Sequence, residues 1–561
     1  MNILGISAFY HDSSAALIRD GKIICAFEEE RFTRIKHDNS FPFHAVKHCL
    51  KYGTTNINNV DTIAYYEKPL LKFERILETF VQTYPHSLLP FLKGIPEWLG
   101  KKIKIEHIVR SKLKYSGKIE YIPHHVSHAA STFYPSPYKK AAILTIDGVG
   151  EYQTTALWHG ENTIITPLSE INFPHSLGLL YSTFTAYLGF QVNNDEYKMM
   201  GLAAYGKPKY LQKMKKIISV RSDGSFNLDM NYFRFRESFQ MWSNDFEHLF
   251  GKPRVKNEAF SQRHKDIAAS IQVKTEEIYF AILRHLYEIT GSENLCLSGG
   301  VALNSLANGK IYQNTPFKNV YIFGPAGDSA AAIGAALYSY HHLGTRKRQE
   351  VSQLYFGNSY NDTHIEKLLR KWGLKCQKLN KTKLIQTTAQ ALADGKIIGW
   401  YQSRMEFGPR ALGNRSILAN PQNRSMKEKV NVIKIREQFR PFAGSVMEDK
   451  VHELFMVPEK NHQSPFMNFV FQVKPQARSK IAAIVHADNT CRIQTINKKQ
   501  NPLYYQLIKQ FYTLTEIPCI LNTSFNLKSE PIVESPEQAI DDFMKTKLDE
   551  LYINNFRVLK N

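Results

Sequence analysis

The sequence predicts an α/β protein built from two domains, and three observations carry this. Apolar runs of strand length end in short turns of small and polar residues, as strands do where a sheet presents its ends to a ligand. Helix-length segments lie between those runs. A charged run without periodicity, HHLGTRKRQEV at 341–351, separates two lengths of chain that are each of domain size. The expected division is a first domain at 1–345, a linker at 346–355 and a second domain at 356–561.

The elements follow in order. Residues 2–9 alternate and are mostly apolar, and 14–18 and 22–27 follow with Asp20-Gly21 between them. Asp-Gly between apolar runs signals a hairpin, so the opening reads as a three-strand meander. His11, Asp12 and Ser13 occupy its first turn, where a strand pair can present them to a ligand. Residues 72–118 read as an inserted helical stretch broken by prolines. A strand at 138–146 runs into Asp147-Gly148. Another at 293–297 runs into Ser298-Gly299-Gly300, with a helix expected from Val301. A third at 319–323 leads through Gly324-Pro325-Ala326-Gly327-Asp328 into an alanine-rich helix at 329–340. The remainder reads as a second α/β unit with no short-period repeat.

Composition narrows the function classes. Hydrophobic residues make up 43% of the 561 and charged residues 22%, the balance of an ordinary soluble protein. No apolar run reaches the roughly 18 residues of a membrane span, and no basic segment precedes the first apolar run, so no signal peptide is expected. The six cysteines form no C-x-x-C pair and are expected as buried thiols in a cytoplasmic protein. A net charge of +21 favours anionic partners, although solubility alone would also account for it. The basic stretches at 101–114 and 367–383 lack the interleaved aromatics of a single-strand groove, and neither nucleic acid nor membrane is expected as a partner.

Three sets of residues carry chemistry. His124 and His128 stand four apart, share one helix face and can bind one metal, though ordinary surface pairs have the same spacing. Asp147 and Asp328 each close an apolar strand, where a turn or helix cap would also place them. Two imidazoles and two carboxylates together suit Fe²⁺, Zn²⁺ or Mn²⁺ with positions left open. In LSGGVALN, Gly299 and Gly300 would let a nucleotide approach the backbone at a helix start; this is neither a Walker A loop nor G-x-G-x-x-G. The third set comprises Arg404, Arg410 and Arg415 in SRMEFGPRALGNRSIL, Lys434 and Arg440 in NVIKIREQFRPFA, Arg492 in TCRIQT and Ser524 in LNTSFN. Arginine suits bidentate phosphate recognition, and these cations stand among Phe, Gly and Pro, which points to a pocket.

The segments GISAFYHDSSAAL, AFEEERFTRIKHD, HHVSHAASTFYPSP, TIDGVGEY, EYKMMGLAAYGKP, LSGGVALN, MEFGPRALGNRSIL, IREQFRPFA and LNTSFN run in order over nearly the whole chain. Together they resemble the NodU/CmcH family of O-carbamoyltransferases. The resemblance implies an N-terminal actin-like ATPase domain, similar to the TsaD-type enzymes, and a C-terminal YrdC-like domain. It implies that carbamoyl phosphate and ATP, with Mg²⁺, give carbamoyl adenylate in the second domain. That intermediate is then used at a metal, Fe²⁺ before Zn²⁺ or Mn²⁺, to carbamoylate a hydroxyl of a natural product or sugar. The matching metal ligands are His124, His128, Asp147 and Asp328. Carbamoyl phosphate and ATP fall to Arg410, Lys434, Arg440, Arg492, Asn522 and Ser524. A nucleotide in the first domain falls to Gly299, Gly300, Val301, Asn304 and Lys198. His11, with Asp12, falls on the acceptor side, where it can act as a base or simply close the strand end. A homodimer is compatible with this reading. One departure is visible: Ser529 in NLKSEP stands where the pattern calls for Gly, which bears on the shape of that loop. Two alternatives stay open. A tRNA threonylcarbamoyladenosine-type enzyme would suit the basic charge but lacks an evident tRNA-binding module. An actin-like ATPase that transfers nothing leaves the arginine-rich second domain without a role.

Overall fold

The computed structural model of the chain describes residues 1–343 and 347–560; the expected boundary at 345–346 lies outside the described residues. Contacts divide the chain into two compact units. One comprises Met1–Glu29, Asn39–Ala307 and Ile311–Val351; the other comprises Glu30–Asp38, Asn308–Lys310 and Ser352–Asn561.

The first unit opens with the expected meander: β1 (Asn2–Ser7), β2 (Ser14–Arg19) and β3 (Lys22–Glu28) pair antiparallel in sequence. On its other side β1 pairs in parallel with β4 (Thr62–Tyr65), and β4 with β5 (Lys118–Tyr121). β1 stops at Ser7 rather than 9, because Phe9 and Asp12 adopt left-handed backbone in the turn that follows. The second sheet repeats this pattern. β6 (Lys140–Ile146), β7 (Gln153–Glu161) and β8 (Ile164–Asn172) form another antiparallel meander. A short hairpin of β9 (Ile218–Val220) and β10 (Phe226–Leu228) intervenes in the chain. β11 (Asn294–Ser298) then pairs in parallel with β6, and β12 (Asn319–Ile322) with β11. Both sheets therefore read meander, first strand, then two parallel strands. Such a duplicated α/β sheet is the actin-like arrangement. Strands β1, β2 and β6 are buried almost throughout, so both faces are covered and the runs are nearly all apolar.

Helices His124–Phe133 and Ala331–His342 pack against each other. They touch backbone to backbone at Gly334, where an added Cβ would lie 1.8 Å from the Ser127 carbonyl oxygen. The inserted stretch forms helices Pro69–Thr83, Leu88–Glu97 and Ile105–Leu113. The helix expected from Val301 does not form as one piece. A 3-10 turn, Gly300–Leu303, gives way at Asn304 to the short helix Ser305–Gly309. Asn304 leaves helical backbone there because its amide exchanges hydrogen bonds with Gln272 (3.1 Å each way) and its Oδ1 accepts from Ala307 N–H. The alanine-rich helix likewise opens as a 3-10 turn, Asp328–Ala330.

The second unit is a mixed α/β domain on one large sheet. In chain order its strands are β13 (Lys375–Lys378), β14 (Ile398–Tyr401), β15 (Arg415–Ala419), β16 (Ala443–Met447), β17 (Phe469–Gln472), β18 (Thr490–Ile496), β19 (Cys519–Ser524), β20 (Glu550–Ile553) and β21 (Phe556–Leu559). In space they run β13-β21-β20-β14-β15-β19-β16-β18-β17. Among the described residues no helix is long and apolar enough to cross a membrane.

Ser529 keeps left-handed backbone, with φ +65°. An L-residue there costs roughly 1–2 kcal/mol, and glycine returns part of that gain as chain entropy. Ser529→Gly is expected to raise stability by about 0.5–1 kcal/mol. The check is a higher denaturation midpoint at an unchanged slope; an unchanged or lower midpoint would show that the loop carries no strain.

Candidate functional site

In the first unit four predicted side chains converge. His124 and His128 lie one turn apart on a buried helix, with their Nε2 atoms 3.1 Å from each other. Asp147, at the end of β6, brings Oδ2 to 3.2 Å from His124 Nε2 and 3.0 Å from His128 Nε2. Asp328, buried at the turn after β12, brings Oδ1 to 3.3 Å from His128 Nε2 and 3.7 Å from His124 Nε2. All four donor atoms lie within 4.8 Å of one another. A cation about 2.1 Å from each donor would hold neighbouring donors roughly 3 Å apart, so the set fits one divalent ion.

The surroundings aim these donors. Gly148 and Gly300 N–H both donate to Asp147 Oδ1, at 2.7 and 3.2 Å, which leaves Oδ2 to face the histidines. His128 Nδ1 lies 3.2 Å from Ser298 Oγ, whose own proton has an acceptor in the Ala326 carbonyl at 3.2 Å. Ser298 can thus accept from Nδ1–H and keep Nε2 as a lone-pair donor to a metal. His124 N–H donates to both oxygens of buried Glu151, fixing the helix start. Asp328 Oδ2 and His124 Nδ1 are buried without a hydrogen-bond partner.

His11 and Asp12 meet in the first turn, His11 Nδ1 standing 2.9 Å from Asp12 Oδ2 and Nε2 3.7 Å from Asp328 Oδ2. Burial works against a charged ring. Asp328, then Asp12 and Asp147, overcome it and push His11 up to about 10. His128 rises to about 9 in the same way, against burial and through Asp147 and Asp328, while the histidines hold Asp147 well below the usual carboxylate range despite its burial. A bound divalent cation would reverse that balance by satisfying the two carboxylates.

Gly299 has φ +95°, and a Cβ there would lie 2.2 Å from the Ile146 carbonyl oxygen. The glycine pair is thus demanded by the neighbouring strand and by Asp147, whatever else approaches it. Lys198 pairs with Asp195 at its own helix start, 2.9 Å away. Sequence reasoning missed three contributors: Ser298, Glu151 and Tyr10. Tyr10 bonds Asn193, and burial, then Asp328 and Asp147, raise its hydroxyl. The first two lie within the quoted segments LSGGVALN and TIDGVGEY. Tyr10 sits beside His11, but no spacing marks a tyrosine for this role.

In the second unit the register sets Arg492, Ala443 and Asn522 side by side across β18, β16 and β19. Lys434 is buried, and its ammonium donates to the Ser524 and Asn526 carbonyls and to Asn526 Oδ1. Burial, then Arg436 and Arg440, hold Lys434 well below the usual lysine range, with Lys36 adding to the effect. Burial, then Arg410, Arg436 and Arg440, act on Arg492 in the same sense. An arginine keeps its proton, so for Arg492 this is the cost of a buried charge, increased by the neighbouring guanidinium groups. Arg492 Nε is buried without a hydrogen-bond partner. Ser524 Oγ donates to Asn526 Oδ1 at 2.7 Å. Asn522 commits its amide nitrogen to Ala411 O, Ser445 Oγ and Gln494 Oε1, and only its Oδ1 remains.

Two arginines of the predicted set do other work. Arg415 is fully buried, donates to the Gln402, Asn414, Asn358 and Ser403 carbonyls and stacks on Tyr401 at 3.6 Å. Arg404 donates to the Gly357 and Phe356 carbonyls. Both hold loops together. Arg436 and Lys36 were missed; Arg436 lies between Lys434 and Arg440 in IKIREQFR, where alternate spacing was a usable signal.

Comparison with known proteins gives the following. The carbamoyltransferase N-terminus family model matches residues 2–337, and the carbamoyltransferase C-terminus model matches residues 389–560. An uncharacterized protein of Synechocystis is 44% identical, over 100% of this chain and 97% of that one. Nodulation protein NolNO of Sinorhizobium fredii is 36% identical, over 99% of this chain and 80% of that one. An uncharacterized protein of Methanocaldococcus jannaschii is 31% identical, over 100% of this chain and 99% of that one.

Proposed function

This chain belongs to the carbamoyltransferase family and is an enzyme of carbamoyl transfer, and from that premise we propose that it works through carbamoyl adenylate and delivers the carbamoyl group to a hydroxyl. The gathering of Lys434, Arg410, Arg436, Arg440 and Arg492 carries the reading. Cations crowded in a partly buried pocket repel one another unless anions enter among them. Carbamoyl phosphate and the triphosphate of ATP, with Mg²⁺, are anions of the right kind, and arginine forks match their oxygens.

The chemistry balances as follows. Carbamoyl phosphate and water give carbamate and inorganic phosphate. Carbamate oxygen attacks the α-phosphorus of ATP, forming carbamoyl adenylate and expelling pyrophosphate. The acceptor oxygen then attacks the carbamoyl carbon, releasing AMP and a proton. We assign the carbamoyl amide to Asn522 Oδ1 and the phosphate side to Ser524 and Lys434. In the first unit His124, His128, Asp147 and Asp328 would hold a divalent transition metal, Fe²⁺ first, which when bound supplies Lewis acidity and orientation. We assign to His11, held by Asp12, the role of taking the acceptor's proton. The acceptor we assign is a small natural product or sugar. Gly299, Gly300, Val301, Asn304 and Lys198 remain our assignment for a nucleotide in this unit.

The full chain tests this directly. With ATP and carbamoyl phosphate, phosphate and pyrophosphate should both appear, and neither should form when carbamoyl phosphate is left out. Pyrophosphate that requires threonine and bicarbonate instead would transfer the protein to tRNA-type chemistry. ADP release without pyrophosphate would return it to a plain ATPase.

A further inference from the structure

The helical insertion of the first unit reaches the first site through Lys72, 4.9 Å over the Tyr10 ring, yet its outer surface is unusual. Helix Leu88–Glu97 is strongly apolar, LLPFLKGIPE, but none of its residues is buried. Leu89 is 74% exposed, and Leu92 and Leu99 are exposed with it. At roughly 100° per residue, Leu88, Leu89, Leu92 and Ile95 fall on one arc of about 120°. Helix Pro69–Thr83 repeats the feature: Leu70, Leu77, Val81 (73% exposed) and the following Tyr84 share a stripe. The two helices are clamped by Phe80 stacked on Phe91 at 4.0 Å and by Phe73 against Trp98 at 5.8 Å, so the leucines are not spent on holding the hairpin together.

Charge says what covers this face. Residues 68–114 carry ten basic against four acidic side chains, a net +6. Lys93 in this helix and Lys101 and Lys104 just after it are exposed. Protein interfaces are depleted of lysine at their cores. Exposed leucines bordered by lysines instead match a helix lying in the headgroup layer, apolar arc inward and ammonium groups on lipid phosphates. From this we propose that the hairpin docks the enzyme on an anionic lipid surface, lying on it without crossing.

Co-sedimentation with vesicles tests the proposal. The full chain should bind vesicles of two parts phosphatidylcholine to one part phosphatidylglycerol roughly 10-fold or more tighter than pure phosphatidylcholine, with the preference falling as salt rises. The double variant Leu89→Asp, Leu92→Asp should lose binding. The triple variant Lys93→Glu, Lys101→Glu, Lys104→Glu should lose the anionic preference, and both should keep wild-type pyrophosphate release. Equal binding of either variant and wild type, or no binding of wild type to either vesicle, would overturn the proposal. A self-associated species in sedimentation velocity that the leucine variant dissociates, with no vesicle binding, would assign the face to a second copy of the chain and overturn it as well.

Discussion

His128→Ala is expected to strip the first unit of its metal and to lower carbamoyl transfer by roughly 100-fold or more, since loss of a direct ligand exceeds the 10–100-fold cost of disturbing an outer-shell partner. His128 Nε2 stands within 3.3 Å of both Asp147 Oδ2 and Asp328 Oδ1 and is the donor that touches every other member of the set. Its removal leaves a buried carboxylate pair with one imidazole. Metal content measured on the purified chain is the first readout, and pyrophosphate release the second. Release should survive, because the second unit's cations are untouched. Full metal content in the variant would show that these four residues do not form the site. A conservative control, Ser298→Ala, should weaken metal binding by about 10-fold, since it removes only the group that orients Nδ1.

Arg440→Ala should abolish carbamoyl-phosphate-dependent pyrophosphate release. Loss of one charge-assisted donor from an anion pocket costs about 2–5 kcal/mol, or roughly 30-fold to several thousand-fold. Arg440 faces Lys434 and Arg492 electrostatically and approaches Glu437 at 3.6 Å, a weak contact that an anion can displace. The same cluster makes a second, opposite expectation. Arg492→Met should raise the thermal midpoint of the ligand-free protein, because it removes one of several like charges from a crowded pocket and fills its volume. Carbamoyl phosphate should then stabilise the wild type far more than the variant. Normal adenylation by Arg440→Ala would remove it from the proposed role. A lower midpoint for Arg492→Met would mean that the guanidinium holds the fold rather than a ligand.

Much of this protein is legible in its amino-acid sequence. The meander at the start, the strands that end at Asp147 and Ser298, and the alanine-rich helix after Asp328 are written in apolar runs and turn residues, which act over a few neighbours. The histidine pair was legible because four residues make one helical turn. What the sequence by itself determined was therefore local: element types, strand ends and the residue types offered there. Tertiary structure decided the rest. Only the repeated sheet brings Asp147 and Asp328, 181 positions apart in the chain, onto one histidine face. Only packing separates Arg415, consumed by four carbonyls, from Arg492, left among other cations. Only packing makes 30–38 and 308–310 part of the second unit. The physical reason is one of range. Backbone propensity and periodicity are set within a turn or a strand. Charge repulsion, burial and a shared metal depend on distances through space that no linear spacing encodes.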